Sequence, residues 1–261
     1  MPTAPLKVLD KPLRVFITGA SSGLGAALAR HYGALGAQLG LAGRRLDGLQ
    51  DAGAGLDARL YAADVRDAAA MQAAAAAFLN EVGPPDIVIA AAGISVGTLT
   101  EEADDAAVFR AVMDANVLGL VHTFQPFIGA LQPGGVLCDI SSVAGVRGLP
   151  GGSAYSASKA AATVYLEALR LELKARRIAV VTVAPGYIDT PMTQINPYAM
   201  PFKMSAPVAA AKVADCISRR RAYAVIPWQM AWAARLLKWL PIPVYDAAFE
   251  KAPRKPRGLP T

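Results

Sequence analysis

Tyr155 and Lys159 stand four residues apart in the run AYSASKAAA, residues 154–162, among side chains no larger than serine. On a helix, residues i and i+4 share one face, so a phenol and an ammonium can act on one point. The small neighbours let another molecule approach that face closely. The same spacing also makes an ordinary solvated pair, so the meaning of the pair depends on what surrounds it.

Two further stretches carry chemistry. TGASSGLG, residues 18–25, places Gly19, Gly23 and Gly25 in a turn between an apolar run and a helix-like segment. Glycine there lets backbone approach a pyrophosphate, and a helix N-terminus presents N–H groups and the positive end of its dipole. The absence of G-K-[ST] disfavours a nucleoside-triphosphate loop. AGRR, residues 42–45, ends the second apolar run. Dinucleotide sites that prefer NAD place a carboxylate at that point to bond the ribose 2′-hydroxyl. Here Gly43 stands there, followed by Arg44 and Arg45, and a guanidinium can grip a 2′-phosphate through paired hydrogen bonds. The expectation is NADP(H) in preference to NAD(H).

The elements that must position these residues follow from the hydrophobic pattern. LRVFITG, QLGLAG, ARLYAADV, DIVIAAAG, GVLCDISS, IAVVTVAPG and YAVIP are short apolar runs, separated by amphipathic helical segments. Among these segments are a long helix over Asp104–Leu131, one beginning near Ser153, and one over Pro207–Arg219. Uniformly apolar strands between helices are what a parallel sheet covered on both faces requires. The expectation is a single-domain α/β fold: a doubly wound parallel sheet of about seven strands with helices on both faces.

Composition narrows the function. Hydrophobic residues make up 54% of 261 and charged residues 18%, which suits a buried core and argues against disorder. Two scattered cysteines, Cys138 and Cys216, supply neither a disulfide framework nor a metal cluster. Two histidines, His31 and His122, leave no His-rich metal site, and each is expected to pack on a helix. The N-terminus lacks the uninterrupted apolar core of a signal peptide, and no stretch of about 18 apolar residues is free of charge. A cytoplasmic protein is expected.

With these residues placed, the sequence resembles the short-chain dehydrogenase/reductase family from about Leu13 to Ile226. The resemblance rests on TGASSGLG, ADV (63–65), AAAG (90–93), ANVLG (115–119), ISSVAG (140–145), YSASK (155–159) and PGYIDTPM (185–192). It implies a Rossmann-type fold, a homodimer or homotetramer, and interconversion of a carbonyl and an alcohol on a small molecule. It also implies a catalytic tetrad of Asn116, Ser142, Tyr155 and Lys159. Tyr155 exchanges a proton with the substrate oxygen; a free phenol titrates near 10, and the fixed charge of Lys159 favours its phenolate. Ser142 polarises the carbonyl, Lys159 also reaches the ribose hydroxyls, and Asn116 holds a water that refills the proton. The cofactor contacts carried over are Gly19, Ser21, Ser22, Gly23, Leu24, Gly25, Arg44, Arg45, Asp64, Val65, Gly93, Tyr155, Lys159, Pro185, Gly186, Ile188 and Thr190. Asp64 is expected to bond the adenine amino group, and Tyr187 to face the substrate or shield the ring. One departure stands out: relatives commonly read Asn-Asn-Ala-Gly where this chain has Ala90-Ala91-Ala92-Gly93, so a brace of the central sheet is missing.

The C-terminal region is unlike the rest. Residues 1–204 carry 16 Lys+Arg against 17 Asp+Glu, whereas residues 205–261 carry 10 against 3. In IPWQMAWAARLLKWLPIPVYDAAFEK, residues 226–251, the helical period puts Trp228, Trp232 and Trp239 on one side with Arg235 beside them. Residues 227–251 read as an amphipathic extension that caps the cleft, packs against another subunit, or lies on a membrane through 228–240. From Ala252 onward the chain reads as a flexible, solvated basic tail, with no nucleic-acid motif. A cofactor-binding sensor or scaffold at a membrane is the alternative to an enzyme. The segment Tyr187–Ala206 should cover the substrate, and its apolar Ile188, Met192, Ile195, Met200, Phe202 and Met204 suggest a lipophilic one.

Overall fold

The computed structural model describes residues 11–257. Seven strands form one parallel sheet: β1 (Arg14–Thr18), β2 (Gln38–Gly43), β3 (Ala58–Ala62), β4 (Ile87–Ala90), β5 (Val136–Ile140), β6 (Ala179–Pro185) and β9 (Tyr223–Ile226). Their order is β3-β2-β1-β4-β5-β6-β9. The winding therefore reverses between β1 and β4, which opens a crevice at the carboxyl ends of those strands. Two-residue strands β7 (Ile188–Asp189) and β8 (Met204–Ser205) pair with each other beyond the end of β6.

Alternation along the strands feeds two cores. One face carries Ile17, Ile89, Cys138 and Val183 against α1 (Gly23–Ala34), α2 (Leu46–Gly53) and α8 (Ala206–Ser218). The other carries Phe16, Val88, Leu137 and Val180 against α3 (Ala68–Glu81), α5 (Gly119–Ile128) and α6 (Ser153–Glu172). Phe16, Phe78 and Phe127 meet there with ring centroids 4.7–6.0 Å apart. Apolar burial on both faces is what makes the sheet the rigid floor of the site.

The long helix expected over 104–131 is not regular. It runs as α4 (Asp105–Met113), a π-helical turn (Asp114–Leu118) and then α5. A π turn widens the helix by one residue per turn and turns local side chains out of the α register. Asn116 lies in this turn.

The C-terminal region adds α9 (Trp228–Trp239) and α10 (Ile242–Phe249). Arg147 ties α9 to the loop after β5 by donating to the Leu237 and Leu240 carbonyls at 3.0 and 2.9 Å, and its guanidinium stacks on the Tyr245 ring. Residues 252–257 are not the solvated tail that their composition suggests. The Gly97 N–H donates to the Pro256 carbonyl at 2.9 Å, and Arg257 pairs with buried Asp105 and with Glu102. Residues 258–261 lie outside the described residues. No helix among the described residues is long and apolar enough to cross a membrane.

The departure at Ala90 has a counterpart in the sheet. In register, Thr18 neighbours Ala90 and Ala90 neighbours Asp139, so the three stand side by side on one face. Ala90 has only a methyl group, and Thr18 Oγ1 and Asp139 Oδ2 are buried with no hydrogen-bond partner among the described residues. Burial pushes the Asp139 carboxyl up to about 6, against the opposing pull of Lys159. Between about pH 4 and pH 6 the folded chain therefore holds a proton that the unfolded chain releases, and stability falls as pH rises through that window. Asp139→Asn removes the ionisation cost while keeping the shape. The variant should match the parent near pH 4 and exceed it at pH 8, by up to about 3 kcal/mol. Thermal or denaturant unfolding at both pH values measures this, and an equal gain at both would refute the assignment.

Candidate active site

The turn between β1 and α1 is built for close approach. Gly19 has φ 67°, and a Cβ there would lie 2.6 Å from the Ala92 nitrogen. A Cβ on Gly25 would lie 2.2 Å from the Gly19 carbonyl oxygen, so only glycine lets the turn fold onto the first turn of α1. Ser22 is the N-cap residue of α1, yet its hydroxyl makes no capping bond. The first N–H groups of α1 and this hydroxyl are thus left for an anion in the crevice.

Around that turn lies a cavity of about 480 Å³. It is lined by every cofactor contact expected from the sequence: Gly19, Ser21, Ser22, Gly23, Leu24, Gly25, Arg44, Arg45, Asp64, Val65, Gly93, Tyr155, Lys159, Pro185, Gly186, Ile188 and Thr190. Ser142 lines it too; Asn116 does not. Arg45 donates weakly to the Ser21 carbonyl at 3.4 Å, while Arg44 makes no side-chain hydrogen bond among the described residues. Asp64 is more constrained than its motif suggests. Arg66 binds both its oxygens, with Nη2–Oδ2 at 2.5 Å, and this pairing holds the carboxyl below the usual carboxylate range. Val65 is fixed by His122, whose Nδ1 lies 2.8 Å from the Val65 carbonyl oxygen, so this histidine orients the cavity wall from α5.

The four residues of the expected tetrad come from three elements: the π turn, the segment after β5, and α6. Asn116 Nδ2 donates to the Ile94 carbonyl and to Ser158 Oγ, both at 2.9 Å, and its Oδ1 accepts from the Ile94 N–H at 2.8 Å. Both amide donors are thereby spent on protein, and Asn116 works as a brace between the strand β4 end, the π turn and α6. Ser142 Oγ accepts from the Ala144 N–H at 3.1 Å, which leaves its own proton free to donate. Lys159 is buried on α6, and its Nζ donates to the Ile140 carbonyl at 2.7 Å. Tyr155, one turn earlier on α6, lines the cavity beside Ser142.

A second cavity, of about 380 Å³, opens from the first and shares Ser142, Tyr155, Gly186, Met192 and Thr193 with it. Its other walls include Val143, Leu149, Pro150, Tyr187, Tyr198 and Phe249. Of the six apolar residues expected to cover a substrate, Met192 alone lines this cavity. Ile188 and Met204 are packed in the core, Ile195 and Phe202 face solvent, and Met200 is not among the lining residues. The apolar character comes from tyrosines and from residues far away in sequence. The cleft is capped by Phe249, Ala252, Pro253 and Lys255, not by the tryptophans of α9, which are 64–82% exposed.

Lys255 is the group sequence reasoning missed most completely. Its Nζ donates to Ser95 Oγ at 2.7 Å and lies 5.8 Å from the centroid of the Tyr155 ring. Burial pulls its ammonium down to about 8. No local signal marks it, because the contact joins residues 160 positions apart. Arg66, His122 and Ser158 were likewise invisible, since ordinary helix and loop positions give no hint of their partners.

The donor set fits a nicotinamide dinucleotide: a helix N-terminus with an unspent serine for the pyrophosphate, a free guanidinium beyond β2, a carboxylate beyond β3, and a proton-active phenol at the far end. Comparison with known proteins agrees. The sequence model of the short chain dehydrogenase family matches residues 14–198. The chain is 36% identical over 239 residues to an uncharacterized oxidoreductase of Myxococcus xanthus, covering 89% of this chain and 94% of that one. It is 33% identical over 189 residues to a sulfoacetaldehyde reductase of Chromohalobacter salexigens, covering 70% and 75%. Among solved structures, a dehydrogenase/reductase from Sinorhizobium meliloti 1021 aligns with a TM-score of 0.73 at 28% identity, over 82% of this chain and 92% of that one. A seven-stranded sheet wound about a glycine turn, carrying a serine, a tyrosine and a lysine at one crevice and matched by these relatives, places the chain in the short-chain dehydrogenase/reductase family of NAD(P)-dependent oxidoreductases.

Proposed function

We propose that this chain is an NADP(H)-dependent oxidoreductase that interconverts a carbonyl and an alcohol on a largely apolar small molecule. The observation that carries the reading is the meeting of the two cavities at Ser142 and Tyr155. A cofactor held in the first and a substrate held in the second would meet along this shared wall, which Gly186, Met192 and Thr193 complete. A reduced nicotinamide, when bound, supplies the hydride. Tyr155 gives its phenolic proton to the substrate oxygen, and Ser142, whose acceptor side is already taken by Ala144, donates a hydrogen bond to the same oxygen. Lys159 keeps two donors beyond its bond to Ile140 for the ribose hydroxyls, and its charge faces the developing oxyanion. The similarity to a sulfoacetaldehyde reductase supports an aldehyde or ketone as the acceptor.

The preference for NADP(H) is supported by Gly43 at the end of β2 and the unengaged guanidinium of Arg44. Arg44→Asp should weaken NADPH binding about ten- to a hundredfold, the loss of one charge-assisted contact, while changing NADH binding little or improving it. Titration of both cofactors by fluorescence or calorimetry decides this. Wild-type protein that binds NADH as tightly as NADPH would defeat the reading. Tyr155→Phe should retain NADPH and lose about 10²- to 10⁴-fold in turnover, because the ring stays and its proton is gone. Near-normal turnover across a panel of aldehydes and ketones would remove Tyr155 from the chemistry.

The outer face of α9 and α10 is proposed to rest on an anionic bilayer. Trp228, Trp232, Leu236, Trp239, Ile242 and Val244 are all more than half exposed there, and Arg235 stacks over Trp232 at 5.4 Å. Exposed tryptophan beside arginine and lysine suits a headgroup layer. The protein should float with vesicles of phosphatidylcholine and phosphatidylserine, less so in high salt, and Trp228→Ser with Trp232→Ser and Trp239→Ser should abolish flotation. Lack of flotation together with a wild-type dimer that the triple variant dissociates would make this face a subunit contact.

A further inference from the structure

Among the described residues lining the second cavity, Lys255 is the only charged side chain and there is no carboxylate. The lysine makes no ion pair among the described residues; its hydrogen-bond partner is the Ser95 hydroxyl, which takes one of its three donors. A half-buried cation without a counter-ion is unfavourable, and it could ordinarily swing its flexible stem out to water. This one is held in. The backbone just after it is clamped by the Gly97 N–H to Pro256 carbonyl bond and by the Arg257 pairs with Asp105 and Glu102, and Pro253 and Pro256 stiffen the segment. A Cβ on Gly97 would lie 2.2 Å from the Lys255 carbonyl oxygen, so the two backbones are in close contact. The fold thus presents an ammonium without a counter-ion to a cavity whose other lining residues are uncharged, apolar side chains among hydroxyls and one amide.

We infer that Lys255 and Ser95 form an oxyanion subsite, and that the substrate is a carbonyl compound bearing a carboxylate or sulfonate on an otherwise apolar body. This rests on the oxidoreductase reading above. The ammonium lies 5.8 Å from the Tyr155 ring centroid, so the acidic group sits near the reacting carbonyl and not at the far end of a long chain. The site is preorganised: the ordering of the lysine is already accomplished by the docked segment, and the incoming anion supplies the missing charge.

The test compares reduction of 4-formylbenzoate, 4-formylbenzenesulfonate and the neutral 4-methylbenzaldehyde with NADPH. Wild-type kcat/KM for one or both anions should exceed that for the neutral aldehyde by at least about tenfold, mainly through KM, and which anion leads identifies the oxyanion. Lys255→Met should bring the ratio close to one, Lys255→Arg should keep part of it, and Lys251→Met, an exposed lysine outside the cavity, should keep all of it. A wild-type ratio near one overturns the subsite while leaving the oxidoreductase reading intact. So does a Lys255→Met variant that slows all three substrates equally, which would make the lysine a clasp for the C-terminal segment. If no aldehyde is reduced, the reaction is wrong, and binding then decides the subsite. Calorimetry of 4-(hydroxymethyl)benzoate against 4-methylbenzyl alcohol should show the anion favoured by wild type and not by Lys255→Met, and equal binding overturns the subsite.

Discussion

The whole site hangs from the side chain of Asn116. Three hydrogen bonds from one amide join the backbone at Ile94, just past β4, to Ser158 on α6. Ser158 adjoins Lys159 and follows Tyr155 by three residues, so this grip fixes the rotation of α6 about its own axis. A helix that turned by a fraction of a turn would carry the phenol away from Ser142 and the ammonium away from the Ile140 carbonyl. The π turn is what brings the amide to this point; in a regular helix the residue would face a different direction. Buried amide bonds of this kind are individually modest, but leaving any partner unmet would cost about 1–3 kcal/mol. The arrangement is therefore all or none, which is what a positioned catalytic pair requires.

Beneath it, the parallel sheet supplies rigidity and accepts a local flaw. Apolar cores on both faces leave no route for water to the central strands, so each polar group there must find a partner or stay neutral. Asp139 and Thr18 do not find one, with alanine between them where relatives commonly carry asparagine. The sheet tolerates this because the flanking strands are packed on both sides by phenylalanine and leucine. The flaw lies one strand residue before Ile140, whose carbonyl receives the Lys159 proton, so the acid and the lysine share one electrostatic neighbourhood.

The two ends of the cleft have different origins. The proposed cofactor side is made by segments at the carboxyl ends of β1 to β6. The substrate side is closed by α10 and residues 252–257, which reach back over 150 positions to clasp the loop after β4. On the proposed reading, chemistry belongs to the framework at the strand ends, while the choice of substrate falls to a C-terminal segment with its own basic and aromatic composition.

How much of this was legible in the sequence follows the range of the interactions. The strands, their parallel arrangement, the glycine turn and the pairing of Tyr155 with Lys159 could be read because each is set by local spacing: strand alternation, steric demands on Gly19 and Gly25, and the i, i+4 face of a helix; Ser142 and Asn116 were expected only from the family resemblance. Contacts that join distant residues were not legible. The π turn left no mark on the apolar pattern, Asp64 gave no sign of being held by Arg66, and the expected lining residues Ile188 and Met204 turned out to serve the core. The C-terminal segment shows the limit most clearly. Its proline-rich, basic composition reads as a solvated tail, because composition records only the tendency of the isolated chain. Arg257 meeting a buried carboxylate, Pro256 meeting the Gly97 amide, and Lys255 meeting Ser95 exist only once the sheet has brought those partners together. Local spacing by itself determined the framework and the tyrosine–lysine pair; the tertiary structure alone decided what closes over them and where the Lys255 ammonium stands.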